Sequence, residues 1–158
     1  MPESGRRIFA SHRGRVTKVA EAPIQYVYDW CTDYRTDDGR LSRSKPRFKV
    51  IRAGSNRVAR VRISSGGSAT PAVAVELVRL RPPDAWHVDQ IDEADLNSVD
   101  YKLTRLGPNR TRIVLSFNER WMTPEHPTRR EWLQGANNFW DRLVVALEAD
   151  FKNGVPAK

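Results

Sequence analysis

The apolar side chains of this chain are spaced in two ways, a long region of alternation and one closing stretch with helical period. From Thr128 to about Lys152, Trp132, Ala136, Phe139, Trp140, Leu143, Leu147 and Phe151 recur at steps of three and four. On a helix that spacing forms a single apolar stripe. Thr128 followed by Glu131 is a capping-box pattern, in which hydroxyl and carboxylate each accept from the other residue's backbone N–H, so the helix start is well marked. Gly135 lies inside this helix at a cost of about 1 kcal/mol relative to alanine. Two readings of it are open: a bend that widens the space under the helix, or the close approach of a strand.

Upstream the period is two. Residues 7–20 read as a first strand, and Pro23 opens a short helix over IQYVYDWCTDY with Ile24, Val27, Tyr28 and Cys31 on its apolar side. A loop with a helical turn around Asp37 to Leu41 follows, then RFKVIRA and RVARVRIS, a hairpin about Gly54-Ser55-Asn56. Beyond the SSGGSATP connection come AVAVELVRL, AWHVDQI, LNSVDYKLTRL and TRIVLSFNERW, divided by RPPD, DEAD and GPN.

Turns this short make consecutive strands antiparallel, so register can be carried from one to the next. Pairing Asp92 with Asp95 sets Trp86 against Tyr101 and Val88 against Val99. Pairing Leu80 with Ala85 sets Val88 against Leu77. A three-residue loop with a bulge at GPN sets Val99, Tyr101 and Leu103 against Phe117, Leu115 and Ile113. One face then collects Val73, Val75 and Leu77 with these residues. The other collects Glu76, His87, Asp89, Asp100, Lys102 and Arg112. The expected fold is α+β: a seven-stranded curved antiparallel sheet gripping the long C-terminal helix, with short helices between the first two strands. Residues 7–152 are expected to form one domain, with flexible ends at 1–6 and 153–158.

Composition supports a globular chain that needs no staple: 158 residues, 39% hydrophobic and 29% charged, enough to bury a core without disulfides or a structural metal. Cys31 is the only cysteine, which excludes an internal disulfide and reads as an apolar filler. No apolar run reaches the roughly 20 residues of a membrane helix, and the N-terminus lacks a signal-peptide core, so the expected location is cytoplasmic. The net charge of +8 is uneven, because residues 1–62 hold 15 of the 27 Lys/Arg and 6 of the 19 Asp/Glu. Arg43, Lys45, Arg47, Lys49, Arg52, Arg57, Arg60 and Arg62 form a basic run. It is a candidate contact for RNA, the ribosome or an acidic protein, set against the simpler reading of a solvated face. Aromatics for base stacking are not interleaved there beyond Phe48.

Familiar catalytic constellations are missing. His12, His87 and His126 have no companions at metal-ligand spacing, and His87 falls on the outer face near Asp100. Asp33, Asp37, Asp38 and Gly39 suggest a calcium loop, but Arg35 occupies a ligand position and the closing Glu is absent, so they read as a turn. No metal or cofactor is expected. Glu119, if buried, is the candidate acid or base.

Strand, Pro-started helix ending in Asp (VTKVAEAPIQYVYDWCTDY), six more strands and a terminal helix from Trp132 to Phe151 resemble the helix-grip fold of the START-like, or SRPBCC, ligand-binding superfamily. The likeness is to its polyketide cyclase/dehydrase and lipid-transport branch. The resemblance covers about Arg7 to Phe151. It implies a sheet curled around the helix over a cavity for an apolar small molecule such as a lipid, quinone or polyketide-like compound; an enzyme of the cyclase or dehydratase type is the alternative. The aromatic and aliphatic wall is then Trp86, Val88, Tyr101, Leu115, Phe117, Trp132, Phe139 and Trp140. The register adds a cross-strand row of Gln90, Asn97 and Glu119 that could orient a ligand's polar end. A filled core would use the same residues, and periodicity does not separate the two.

Overall fold

The computed structural model describes residues 7–42, 45–64 and 72–157. Residues 65–71 of the SSGGSATP connection and Arg43 of the basic run lie outside them. The elements are β1 (Ala10–Ala20), α1 (Ile24–Thr32), a 3-10 turn (Asp38–Leu41), β2 (Arg47–Arg52), β3 (Arg57–Ser64), β4 (Ala72–Arg81), β5 (Ala85–Ile91), β6 (Asp95–Gly107), β7 (Arg110–Trp121) and α2 (Arg129–Lys152). The strands make one seven-stranded sheet in the order β1-β7-β6-β5-β4-β3-β2, and every pairing is antiparallel. The first and second strands thus form opposite edges, with α1 and the 3-10 turn crossing between them.

The helix begins as its sequence demands. Thr128 Oγ1 accepts from the Glu131 amide at 3.2 Å, and Glu131 Oε2 accepts from the Thr128 amide at 2.9 Å. It is held against β1 by a close contact at Gly14, where a Cβ would stand 2.7 Å from Leu133 Cδ2 and 3.1 Å from the Phe117 ring. The glycine required by close packing is therefore on the strand. Gly135 itself is exposed and has no atom within 4 Å of where its Cβ would stand, which leaves the strand-approach reading without a neighbour. At the other end, the Trp30 indole donates to Asp150 Oδ2 at 2.9 Å. Tyr26 Oη donates to Val155 O at 2.8 Å and Ala157 is buried, so the chain stays packed beyond the helix.

The expected pairs Trp86–Tyr101, Val88–Val99, Val99–Phe117, Tyr101–Leu115 and Leu103–Ile113 all form, with a register shift between Arg105 and Gly107. One strand is corrected. Arg81, rather than Leu80, pairs with Ala85, so the loop holds three residues, Val88 faces Val78, and Leu77 faces Asp89. Because side chains alternate, a slip of one residue moves the whole strand's pattern to the other face. Ala74, Glu76, Val78 and Leu80 turn inward, while Val73 and Leu77 stand 44% and 46% exposed on the outside.

Candidate functional site

Register places three transverse rows on the inner face. The middle row runs Val58, Val78, Val88, Val99, Phe117, Gly14 across β3, β4, β5, β6, β7 and β1. On one side lies the row Leu80, Trp86, Tyr101, Leu115, Val16. On the other, every position is polar: Arg60, Glu76, Gln90, Asn97, Glu119, His12. The sheet thus presents an apolar floor with a polar belt along one border.

Between this floor and α2 is a cavity of about 310 Å³. Trp86, Val88, Tyr101, Leu115 and Phe117 line its floor, and Trp132, Phe139 and Trp140 line its roof. Trp86 and Tyr101 stack with centroids 4.5 Å apart and planes 6° apart, and Tyr101 meets Trp140 at 5.7 Å. Phe117 and Trp132 meet edge to face at 4.4 Å. These preferred aromatic geometries hold the wall without filling the space above it. Burial pushes the Tyr101 phenol and the Cys31 thiol upward, so both stay neutral.

Gln90 and Asn97 contribute polar groups, but Glu119 is not part of the lining. It is buried beside Asp95. Burial, then the hydrogen bond and charge of Asp95, hold Glu119 well above the ordinary carboxylate range, and burial raises Asp95 as well. Two adjacent carboxyls that both resist ionisation retain a proton between them at neutral pH.

The polar end of the cavity is built from residues whose role the sequence reading missed. Arg60 Nη1 donates to Asp38 Oδ2 at 2.8 Å and Arg60 Nε donates to Glu76 Oε2. The three side chains are only 13%, 16% and 9% exposed. The guanidinium lies 4.0 Å from the Phe48 ring centroid and 5.1 Å from that of Tyr34. Burial raises Asp38 above its ordinary value, against the opposing pull of Arg60. Opposite charges at Arg60 and Glu76 carried a signal, but it could be read only once β4 was in its true register. Asp38 belongs to the turn-forming aspartates, and its neighbour Asp37 is held by Arg35 at 2.9 and 3.0 Å.

The basic run divides by strand alternation. Arg60 and Arg62 face the cavity, and Arg52 donates to the Asp33 carbonyl. Arg47, Lys49 and Arg57 alternate with those inward positions and lie outside. His87 is on the outer face as expected, with Nδ1 2.8 Å from Asp100 Oδ1 and Nε2 2.9 Å from Asp89 Oδ1. His12 Nε2 sits 3.0 Å from the Pro127 carbonyl oxygen, with its ring 5.5 Å from Trp132; His126 Nδ1 lies 3.1 Å from the same oxygen.

A curved sheet closed over one long helix, with a cavity between, is the arrangement of a helix-grip protein. A START superfamily protein from Mycobacterium smegmatis superposes with a TM-score of 0.64 at 13% identity, over 90% of this chain and 98% of the other. The Zhui aromatase/cyclase from Streptomyces sp. R1128 does so with a TM-score of 0.61 at 13% identity, over 92% of each chain. TTHA0849 from Thermus thermophilus gives 0.63 at 15% identity, over 87% of this chain and 94% of the other. No protein-family model matches the sequence, and no curated protein matches it either. The chain has the START-like (SRPBCC) helix-grip fold.

Proposed function

We propose that the protein binds a largely apolar, ring-containing small molecule, of lipid, quinone or polyketide-like character, between the sheet and α2. The observation that carries this reading is the two-toned cavity of about 310 Å³. Its volume falls in the usual range for ligand pockets of about 300 to 1,000 Å³, and its apolar walls with few polar groups match their usual make-up. The stacked Trp86 and Tyr101 supply a flat surface for a ring system, while Gln90, Asn97 and the Arg60 cluster meet its polar end.

Native mass spectrometry of freshly purified protein, followed by denaturing extraction, tests the reading. A co-purifying apolar compound that is lost from Trp86→Ala supports it. An apoprotein that no member of an apolar ligand panel stabilises against heat overturns it.

Catalysis in the same cavity is a second reading, favoured by the solved aromatase/cyclase of like fold and by carboxylates on the cavity wall. Those are Asp33, Asp38 and Glu76, the last two joined through Arg60; Glu119 would have to act from behind the lining. Once a bound compound is known, turnover that survives both Asp38→Asn and Glu76→Gln removes this reading.

A further inference from the structure

The outer face of β2 to β5 is aliphatic where a solvated sheet face is ordinarily polar. Cross-strand pairing aligns Ile51 with Ala59 and Leu77 in one row, and Val61 with Val75 and Ile91 in the next. Ile63 and Val73 continue the patch. Ile51, Val73, Leu77 and Ile91 are 52%, 44%, 46% and 39% exposed. Contiguous exposed aliphatics of this kind mark a surface that meets something. The rest of the outer face lacks the property: β5 itself adds His87 and Asp89 beside Ile91, and β6 and β7 carry Ser98, Asp100, Lys102 and Arg112.

The border of the patch is cationic. Arg47 and Lys49 stand on β2 beside Ile63 and Val61, and Arg57 pairs with Arg79 where β3 meets β4. All four are exposed. The acidic exceptions are Asp89, beside Leu77 and tied to His87 and Arg79, and the Asp92-Glu93 turn that follows Ile91. The edge strand β2 sends Phe48 into the cavity from its inner side, and the 3-10 turn beside it contributes Arg40 and Leu41 to the lining.

We infer that the aliphatic outer face of β2 to β5, with its Arg/Lys border, docks the protein on an anionic lipid surface. Aliphatic side chains enter the acyl boundary while cations meet the headgroups, a combination in which each contribution alone is weak. Docking is peripheral, since no helix among the described residues is long and apolar enough to cross a membrane. A second copy is the less favoured occupant, because two such borders would set like charges against each other. The inference stands on surface residues alone and does not depend on what the cavity holds.

Flotation of the full chain with phosphatidylcholine vesicles, with and without about one third phosphatidylglycerol, is the test. Binding is expected only with the anionic lipid. It should fall about tenfold or more for Arg47→Glu with Lys49→Glu, and by a similar factor for Leu77→Asp with Val73→Asp. Circular dichroism and Tm confirm folding, and Leu77→Ser with Val73→Ser is a milder pair for the case in which the aspartates unfold the chain. Absence of binding to anionic vesicles at low salt overturns the inference, as does binding that ignores all of these substitutions. A concentration-dependent dimer abolished by Leu77→Asp would assign the face to a second copy and also overturn it.

Discussion

The inner and outer faces of the sheet follow opposite rules at its two ends. Over most of β5, β6 and β7 the ordinary arrangement holds, with Trp86, Val88, Val99, Leu103 and Ile113 buried and His87, Asp100, Lys102 and Arg112 outside, and the inward row of Gln90, Asn97 and Glu119 and the outward Ile91 as the exceptions. Across β3 and β4 it is partly inverted: the ion pair Arg60–Glu76 points inward while Val73 and Leu77 point to solvent. A buried ion cluster adds little net stability compared with apolar residues of similar volume, since desolvation offsets the attraction. Outward aliphatics forgo burial that an inward orientation would provide. Stability alone does not account for that pattern. A polar cavity end on one side and a contact surface on the other do.

The largest effect expected from breaking this comparison is at Arg60. Arg60→Met strands Glu76 and Asp38 as buried, uncompensated carboxylates and should cost about 3 to 5 kcal/mol by denaturant titration. Adding Glu76→Leu and Asp38→Leu should recover most of the loss, because no charge then remains to be desolvated. Failure of the triple variant to recover would make the cluster a required part of the fold.

Two sequence neighbours sharpen the contrast. Val78 is 2% exposed on the inner face and Leu77 is 46% exposed on the outer one. Val78→Ala should cost about 2 kcal/mol in lost transfer energy and cavity. Leu77→Ala removes the larger side chain, yet it should stay within about 0.5 kcal/mol. Equal costs would mean that Leu77 is covered.

At Gly14, alanine brings a Cβ to 2.7 Å from Leu133 Cδ2. The leucine can turn aside, so the expected loss is about 1 to 2 kcal/mol, with a bulkier valine costing more.

A separate effect is one of pH. Folding raises Glu119 above its ordinary 4.5, with burial as the largest cause. The native state therefore holds a proton that the unfolded chain releases, and the associated stability is complete below about pH 4.5 and declines as pH rises through the native value. Glu119→Gln should flatten that decline, so that wild-type Tm falls relative to the variant between about pH 5 and pH 9. Parallel Tm curves would mean that the pair with Asp95 carries no raised titration.

Much of this fold was legible because the DEAD and GPN turns leave little freedom in register. With Trp86 set against Tyr101 and Val99 against Phe117, the aromatic floor followed, as did the row of Gln90, Asn97 and Glu119. The capping box announced α2 to within a residue. The RPPD turn allowed loops of three or four residues, and hydrophobicity then favoured the wrong one, since Val73, Val75 and Leu77 look like core. That choice hid Glu76, and with it the inward role of Arg60 and Asp38. Burial rules predict the face of a strand only where the interior is apolar, and here a stretch of the interior is polar. The cavity itself was not legible, because a filled and a hollow core need the same alternation.

Methyl-resolved NMR during titration with 2-naphthol, a small neutral two-ring probe, tests the central claim directly. Inner-face methyls of Val88, Val99 and Leu115 should shift in a saturable way, while Val73, Leu77 and Ile91 across the sheet remain still. Shifts confined to the outer methyls, or no saturable shift at the inner ones, would contradict a ligand cavity between the sheet and α2.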